Sequence, residues 1–415
     1  MITAPKALRT QIGIFGRRNS GKSSLLNALT GQEVSLVSEV PGTTTDPVEK
    51  SMEMHEMGPV LFIDTAGIDD EGALGGARVN RTRKIIERVD IAVLVVSPGK
   101  WGEFELGLLD ELSRRNVTVV GALNKNDIAP PDSEVISELE RRKIKFLPVS
   151  ALTGSGTEDL RSTIAKLAAV RLDQQRPLLA DLVEPGSLVL KVIPIDAEAP
   201  RGRLLMVQVQ AIREMLDHKC ASLVLQDTEI EQILPKLAEP PALIVVDSSC
   251  LDRVSHLLPS EVPLTTYSIL MARFKGNFKQ LVEGTLAARK LKPGDKVLIA
   301  EACSHHAIKD DIGREQIPRW LRCKIGGELE IDFVNGHDFP ENIEQYKLVV
   351  HCGGCMLNRK EIITRLENCQ APGVPVSNYG LLISDCQGML ERCVEVFPEG
   401  RALLAGNDPA TVTES

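Results

Sequence analysis

The sequence predicts an α/β protein of three domains, and three observations predict it. Apolar runs at residues 11–15, 60–63, 91–96 and 117–123 alternate with helix-forming stretches. That is the order of a doubly wound parallel sheet, with ligands at the carboxyl ends of its strands. The polar stretch Gln174-Gln175-Arg176-Pro177 then breaks the order and reads as a linker. A second α/β alternation follows it, and a third carries seven of the nine cysteines, from Cys303 to Cys393. The domains are read as residues 1–171, 172–265 and 266–415.

Composition bounds the function. With 43% hydrophobic and 3% aromatic residues, 415 positions can fill ordinary aliphatic cores. A net charge of −9 argues against a partner held by its phosphate backbone, so no nucleic acid is expected. No apolar run is long enough to span a bilayer, and residues 1–10 hold no apolar signal core, so the expectation is a cytoplasmic protein with no membrane. Nine cysteines then read first as reduced thiols.

In the first domain, Gly16-Arg17-Arg18-Asn19-Ser20-Gly21-Lys22-Ser23-Ser24 matches the phosphate-binding P-loop. An apolar strand precedes it and a helix pattern follows, the setting the motif needs. Glycine lets the backbone wrap a phosphate chain, and the helix points free N–H groups at the anion. Lys22 would reach the β- and γ-phosphates and Ser23 would hold magnesium. Pro41-Gly42-Thr43-Thr44-Thr45-Asp46 reads as a switch loop whose threonine completes the magnesium shell. Asp64-Thr65-Ala66-Gly67 ends the next strand, with Asp64 on magnesium through water and the Gly67 N–H on the γ-phosphate. Asn124-Lys125-Asn126-Asp127 ends another: Asp127 accepts both donors of a guanine edge and Lys125 covers the base. Ser150-Ala151-Leu152 is placed to donate to the guanine carbonyl. Each motif alone is a common pattern, but all of them in this order, each at a strand end or beside one, are specific. They assign GTP and GDP as ligands, with Lys22, Thr44 and Gly67 catalytic.

This domain resembles the translation-factor-like GTPases of the TrmE–Era branch, on the residues from Asn19 to Leu29 and on Pro41-Gly42-Thr43-Thr44. The resemblance implies Ser23 and Thr44 as magnesium ligands. It implies Asn19 as a potassium ligand, with Ser38, Val40 and Thr43 nearby. Ile68 stands where Ras-type switches place a water-orienting glutamine. Hydrolysis is therefore expected to be slow, or helped by a monovalent cation, another residue or a partner. Asp69 and Glu71 are candidates, though solvated loop carboxylates are the simpler reading.

The middle domain shows strands at 188–195, 221–225 and 242–247 and a helix at 201–216, with no motif that carries chemistry. Cys220 and Cys250 read as inert buried thiols. In the last domain, a strand at 296–300 runs into Cys303-Ser304-His305-His306, and one at 347–350 into His351-Cys352-Gly353-Gly354-Cys355. If these strands are parallel neighbours, three thiols converge in one crevice. The set suits zinc with three cysteines and one histidine, or a four-iron–four-sulfur cluster with one open iron. A redox dithiol at Cys352 and Cys355 is a third reading.

The whole chain resembles the HydF family of FeFe-hydrogenase maturation GTPases. The resemblance rests on a TrmE-like GTPase, a spacer, and Cys303-Ser304-His305 followed by His351-Cys352-Gly353-Gly354-Cys355. It implies a 4Fe-4S cluster on Cys303, Cys352 and Cys355, with His305 and His351 as candidate fourth ligands. It further implies a middle dimerisation domain, hence a homodimer. The protein would be a scaffold that receives a transient two-iron precursor made with two radical-SAM enzymes and delivers it to apo FeFe-hydrogenase. The competing reading is a TrmE/Era-like regulatory GTPase whose last domain binds zinc or switches by redox. Cys323, Cys369, Cys386 and Cys393 fit no ligand spacing; the last two read as packing residues, and residues 407–415 as a frayed tail.

Overall fold

The computed structural model describes residues 9–31, 48–54, 58–65, 82–173, 176–195, 204–302 and 311–405. The expected switch positions Ser38, Val40, Thr43, Thr44, Gly67, Ile68, Asp69 and Glu71 lie outside the described residues. So do Cys303, His305, His306, the linker glutamines and the tail. The chain divides into two compact units, Met1–Gln175 and Arg176–Ser415. Among the described residues no helix is long and apolar enough to cross a membrane.

The first unit is built on a six-stranded sheet in the order β2-β3-β1-β4-β5-β6. Its strands are β1 Thr10–Phe15, β2 Val48–Met54, β3 Gly58–Asp64, β4 Ile91–Val96, β5 Thr118–Leu123 and β6 Lys145–Pro148. Five run parallel; β2 pairs antiparallel with β3 at the edge. All six residues of β4 are buried, because successive side chains enter opposite faces and both faces are covered. Val93 and Val95 join the core under the helices Lys22–Thr30 and Thr157–Asp173. Ala92, Leu94 and Val96 join the opposite core, under Glu103–Arg114 and Ser133–Arg141. The fold class is the doubly wound α/β sheet that the sequence predicts, extended by the antiparallel edge strand β2. The charged alternation of Val-Glu-Lys-Ser-Met-Glu-Met in β2 suits an edge.

The second unit holds two four-stranded parallel sheets, β10-β9-β7-β8 and β12-β11-β13-β14. The first contains β7 Leu188–Val192, β8 Ala221–Leu225, β9 Leu243–Val246 and β10 Leu264–Thr266. The second contains β11 Lys296–Glu301, β12 Glu330–Asn335, β13 Leu348–His351 and β14 Val376–Asn378. β7 ends at Val192, short of the expected 195, where Pro194 has no N–H for a ladder. The helix expected over 201–216 is described as Met206–Asp217. One continuous apolar core joins the two sheets, from Leu190 and Ile244 through Leu270 to Leu298 and Val349. The helix Tyr267–Lys275 leaves β10 and packs within that core. Cys220, Cys250, Cys369 and Cys393 are buried, Cys386 is half-buried and Cys323 is exposed.

Candidate functional site

The phosphate loop folds as strand, loop and helix. β1 delivers the chain to Gly16, and the helix Lys22–Thr30 leaves from Gly21. Gly21 sits at φ +91°, and a Cβ there would stand 2.2 Å from Asn124 Nδ2, so only glycine admits Asn124 this closely. Asn124, just after β5, donates to the Ser20 carbonyl at 2.9 Å and accepts from the Ala151 N–H at 3.0 Å. One buried amide thereby ties the phosphate loop to both base-reading segments. Lys125 donates to the Asn19 carbonyl at 2.7 Å. Asp127 and Ser24 are exposed, Ser150 is buried, and Leu152 is 85% exposed.

Lys22 Nζ donates to the carbonyls of Gly16 at 2.7 Å and Arg17 at 2.8 Å. Ser23 Oγ donates to Asp64 Oδ2 at 2.7 Å. Asp64 Oδ1 is buried and has no hydrogen-bond partner among the described residues. Burial raises the Asp64 pKa above the usual carboxylate value, opposed by the Ser23 hydrogen bond and the Lys22 charge. A buried, unsatisfied carboxylate oxygen beside a serine hydroxyl is a hard donor pair that fits magnesium. Sequence reasoning missed the brace on the loop's outer arm. Arg17 pairs with the buried Glu105 through two bonds of 2.8 and 2.9 Å and lies over the Phe104 ring. No sequence signal links residues so far apart.

In the second unit, β11 and β13 are parallel neighbours with Ala300 opposite His351, so the two cysteine motifs begin at adjacent strand ends. Cys352 Sγ accepts from the Ala302 N–H at 3.0 Å and the Gly354 N–H at 3.4 Å. Ala302 is the residue before Cys303. Two N–H groups aimed at one sulfur favour a thiolate, a soft donor that fits iron or zinc. Burial nevertheless pushes the Cys352 thiol up to about 11, against those two hydrogen bonds. Cys355 is exposed. Among the described residues no three histidine, cysteine or acidic side chains gather as a metal site; Cys303 and His305 lie outside them.

His351 is buried, and both ring nitrogens are engaged. Nδ1 lies 2.9 Å from the Cys352 carbonyl and must donate to it. Nε2 lies 3.2 Å from Arg365 Nη1 and accepts from it. Burial, with the Arg365 charge, lowers the imidazole pKa to about 4. Arg365 in turn pairs with Glu361 at 2.9 Å, and Glu361 with His337 at 3.0 Å. Beneath the cysteine loop, Lys275 Nζ donates to the carbonyls of Gly354 at 2.9 Å and Leu357 at 2.7 Å. Burial lowers its pKa to about 8, opposed by the nearby Cys355 and Cys352. Arg365 and Lys275 were also missed, since neither lies near a recognisable motif.

Residues 11–125 match the model of a 50S ribosome-binding GTPase. Residues 178–276 match the hydrogen maturase F dimerization domain, and residues 279–396 the hydrogen maturase F tetramerization domain. GTPase Der of Wolinella succinogenes is 41% identical over 177 residues, covering 40% of this chain and 36% of that protein. GTPase Der of Campylobacter jejuni is 38% identical over 168 residues, covering 38% and 36%. The chain thus spans little more than a third of the length of these curated relatives. A crystal structure of Aquifex aeolicus Era bound to GDP and aluminium fluoride aligns at TM-score 0.35 and 22% identity, over 52% of this chain and 92% of that one.

Proposed function

The chain belongs to the hydrogen maturase F family, and from that premise we propose that it couples GTP hydrolysis to carrying an iron cargo for hydrogenase assembly. The first unit binds GTP with magnesium. Lys22 takes the β- and γ-phosphates, while Ser23 and Thr44 hold the metal and Asp64 reaches it through water. Gly67 offers its N–H to the γ-phosphate. Asp127 reads the guanine edge and Lys125 covers the base, with the Ser150-Ala151-Leu152 turn on the guanine carbonyl. Asn19 holds a potassium ion that stands in for the missing glutamine. In the second unit Cys303, Cys352 and Cys355 would hold a 4Fe-4S cluster, which would supply an iron binding position for the two-iron precursor. The precursor comes from two radical-SAM enzymes and passes to apo FeFe-hydrogenase, and the protein works as an oligomer in the cytoplasm. With both nitrogens of His351 engaged, its role is to orient the Cys352 carbonyl; a ligand role would require breaking the Arg365 bond.

What carries the reading is the 3.0 Å bond from the Ala302 N–H to the Cys352 sulfur, which brings the second motif against the residue preceding the first. The test is iron and sulfide content after anaerobic reconstitution, beside the visible spectrum. Wild type is expected to turn brown with four irons per chain, and Cys352→Ser to lose most of that iron because a hydroxyl is a poor iron ligand. A Cys352→Ser protein with full iron content overturns the ligand set. GTP turnover in potassium against sodium, at matched ionic strength, tests Asn19, and equal rates remove its cation role.

A further inference from the structure

We propose that Lys275 is the fixed counter-charge of the cysteine site. It raises the reduction potential of a thiolate-bound cluster held there and favours the cluster's retention. The inference rests on the cluster reading above. Lys275 ends the helix Tyr267–Lys275, an element outside both cysteine motifs, yet its ammonium ends up under the loop between Cys352 and Leu357. It is 3% exposed. Its two bonds go to neutral carbonyls, and no carboxylate pairs with it among the described residues. A buried ammonium without an anion is unfavourable, and proteins tolerate it where something compensates the charge.

The helix end supplies part of that compensation, because carbonyl dipoles at a helix C-terminus attract cations. Among the described residues, the remaining groups in reach that can carry negative charge are the sulfurs, once they are bound as thiolates. Lys275 lines one crevice with Cys352, Gly353 and His351, and Cys352 and Cys355 are the groups whose charge acts on it most. Thiolates bound to iron and sulfide give that crevice a net negative charge, which grows by one on reduction. A cation fixed a short distance below stabilises the reduced form more than the oxidised form, so the potential rises. Gly354 lies at φ +64° over the Ile362 side chain, a turn that aims its carbonyl at Lys275. The loop is shaped around the ammonium as well as around the metal.

The experiment uses full-length protein reconstituted without oxygen, as wild type, Lys275→Gln, Lys275→Met and Lys275→Arg. The cluster potential is titrated with dithionite as the one-electron donor, and iron and sulfide are counted on the same samples. Glutamine keeps a donor for the loop carbonyls without the charge. Methionine fills the volume without a polar end, and serves if glutamine disturbs folding, which circular dichroism reports. The expected result is a more negative potential for the neutral variants, with arginine close to wild type. Loss of iron in both neutral variants with retention in arginine also supports the charge role. Unchanged potential and iron content in both neutral variants overturn it, as does an arginine variant displaced as far as glutamine. Wild type that takes up no iron overturns the cluster reading itself, and this inference with it.

Discussion

The phosphate loop and the cysteine loop each leave the carboxyl end of a parallel strand, and each folds two carbonyls around a buried lysine. In the phosphate loop, Lys22 bonds the carbonyls of Gly16 and Arg17, six and five residues away. In the cysteine loop, Lys275 bonds Gly354 and Leu357, 79 and 82 residues away. The first cation is wound into place by its own helix, so loop and charge form together at little entropic cost. The second arrives only when the helix Tyr267–Lys275 docks against the chain that leaves β13, after a much longer loop has closed. The same device is a portable motif in one case and a product of tertiary packing in the other.

The comparison breaks most sharply at Lys22. Lys22→Ala should lower GTP turnover by about 10²–10³-fold, the usual effect of removing one donor aimed at developing charge. Iron content should stay at the wild-type level, measured on the same preparation. An alanine variant that keeps turnover would mean that the loop carbonyls, rather than the phosphates, are the partners Lys22 serves. A smaller effect is expected at Asp127, the residue proposed to read the base. Asp127→Asn should weaken GTP binding on the order of 10²-fold, since a charged acceptor of two N–H groups becomes partly a donor. The same variant should gain affinity for xanthine nucleotides, checked by direct titration with both.

Much of this was legible in the chain. β4 is buried on both faces and reads as an unbroken apolar run, and β1 reads as one from Ile12 to Phe15. The phosphate, magnesium and base motifs are short segments whose spacing is set by single loops. What stayed hidden has two physical causes. β2 and β12 are edge strands with charged or half-exposed positions, and β10 and β14 are three residues long, so none shows a hydrophobic run. Glu105, Arg365 and Lys275 act on loops distant in sequence, and no local pattern carries a contact of that kind. The adjacency of the cysteine motifs was conditional on β11 and β13 being parallel neighbours, and they are.

The phosphate loop is not wholly local either, and Asn124 sharpens that point. Its amide reaches back 104 residues to the Ser20 carbonyl. Asn124→Ala leaves that carbonyl and the Ala151 N–H unpaired, one of them buried, at a cost of about 1–3 kcal/mol. Urea unfolding followed by a probe in the first unit should show the loss. No change in midpoint would mean that the loop holds its form without its distant partner, which would set it further apart from the cysteine loop.

The smallest effect is expected at a third buried lysine, which serves as the control for the other two. Lys191 lies on β7 and is fully buried, with Nζ on the Ser222 hydroxyl at 2.9 Å. Burial lowers its pKa to about 8, with Cys220 and Glu214 as the charges that act against the shift. Among the described residues its hydrogen bond goes to a side-chain hydroxyl and not to loop carbonyls, and Glu214 is already engaged by the backbone N–H groups of Leu178, Leu179 and Ala180. In the unfolded chain this amine titrates near 10.4. Between pH 8 and about 10.4 the unfolded state therefore binds more protons, and stability should rise with pH across that window. Below pH 8 both states are charged and the full burial penalty applies. Lys191→Met should remove that penalty and stabilise the second unit by about 1–2 kcal/mol at pH 7, or roughly 2–4 °C per kcal/mol in Tm. Its gain should shrink as pH approaches 10. Thermal scans at fixed protein concentration, pH 7 and pH 9.5, read both parts. If Lys191→Met is less stable than wild type at pH 7, a buried ammonium in this unit needs no anion to be tolerated, and the case for a counter-charge at Lys275 loses its energetic ground.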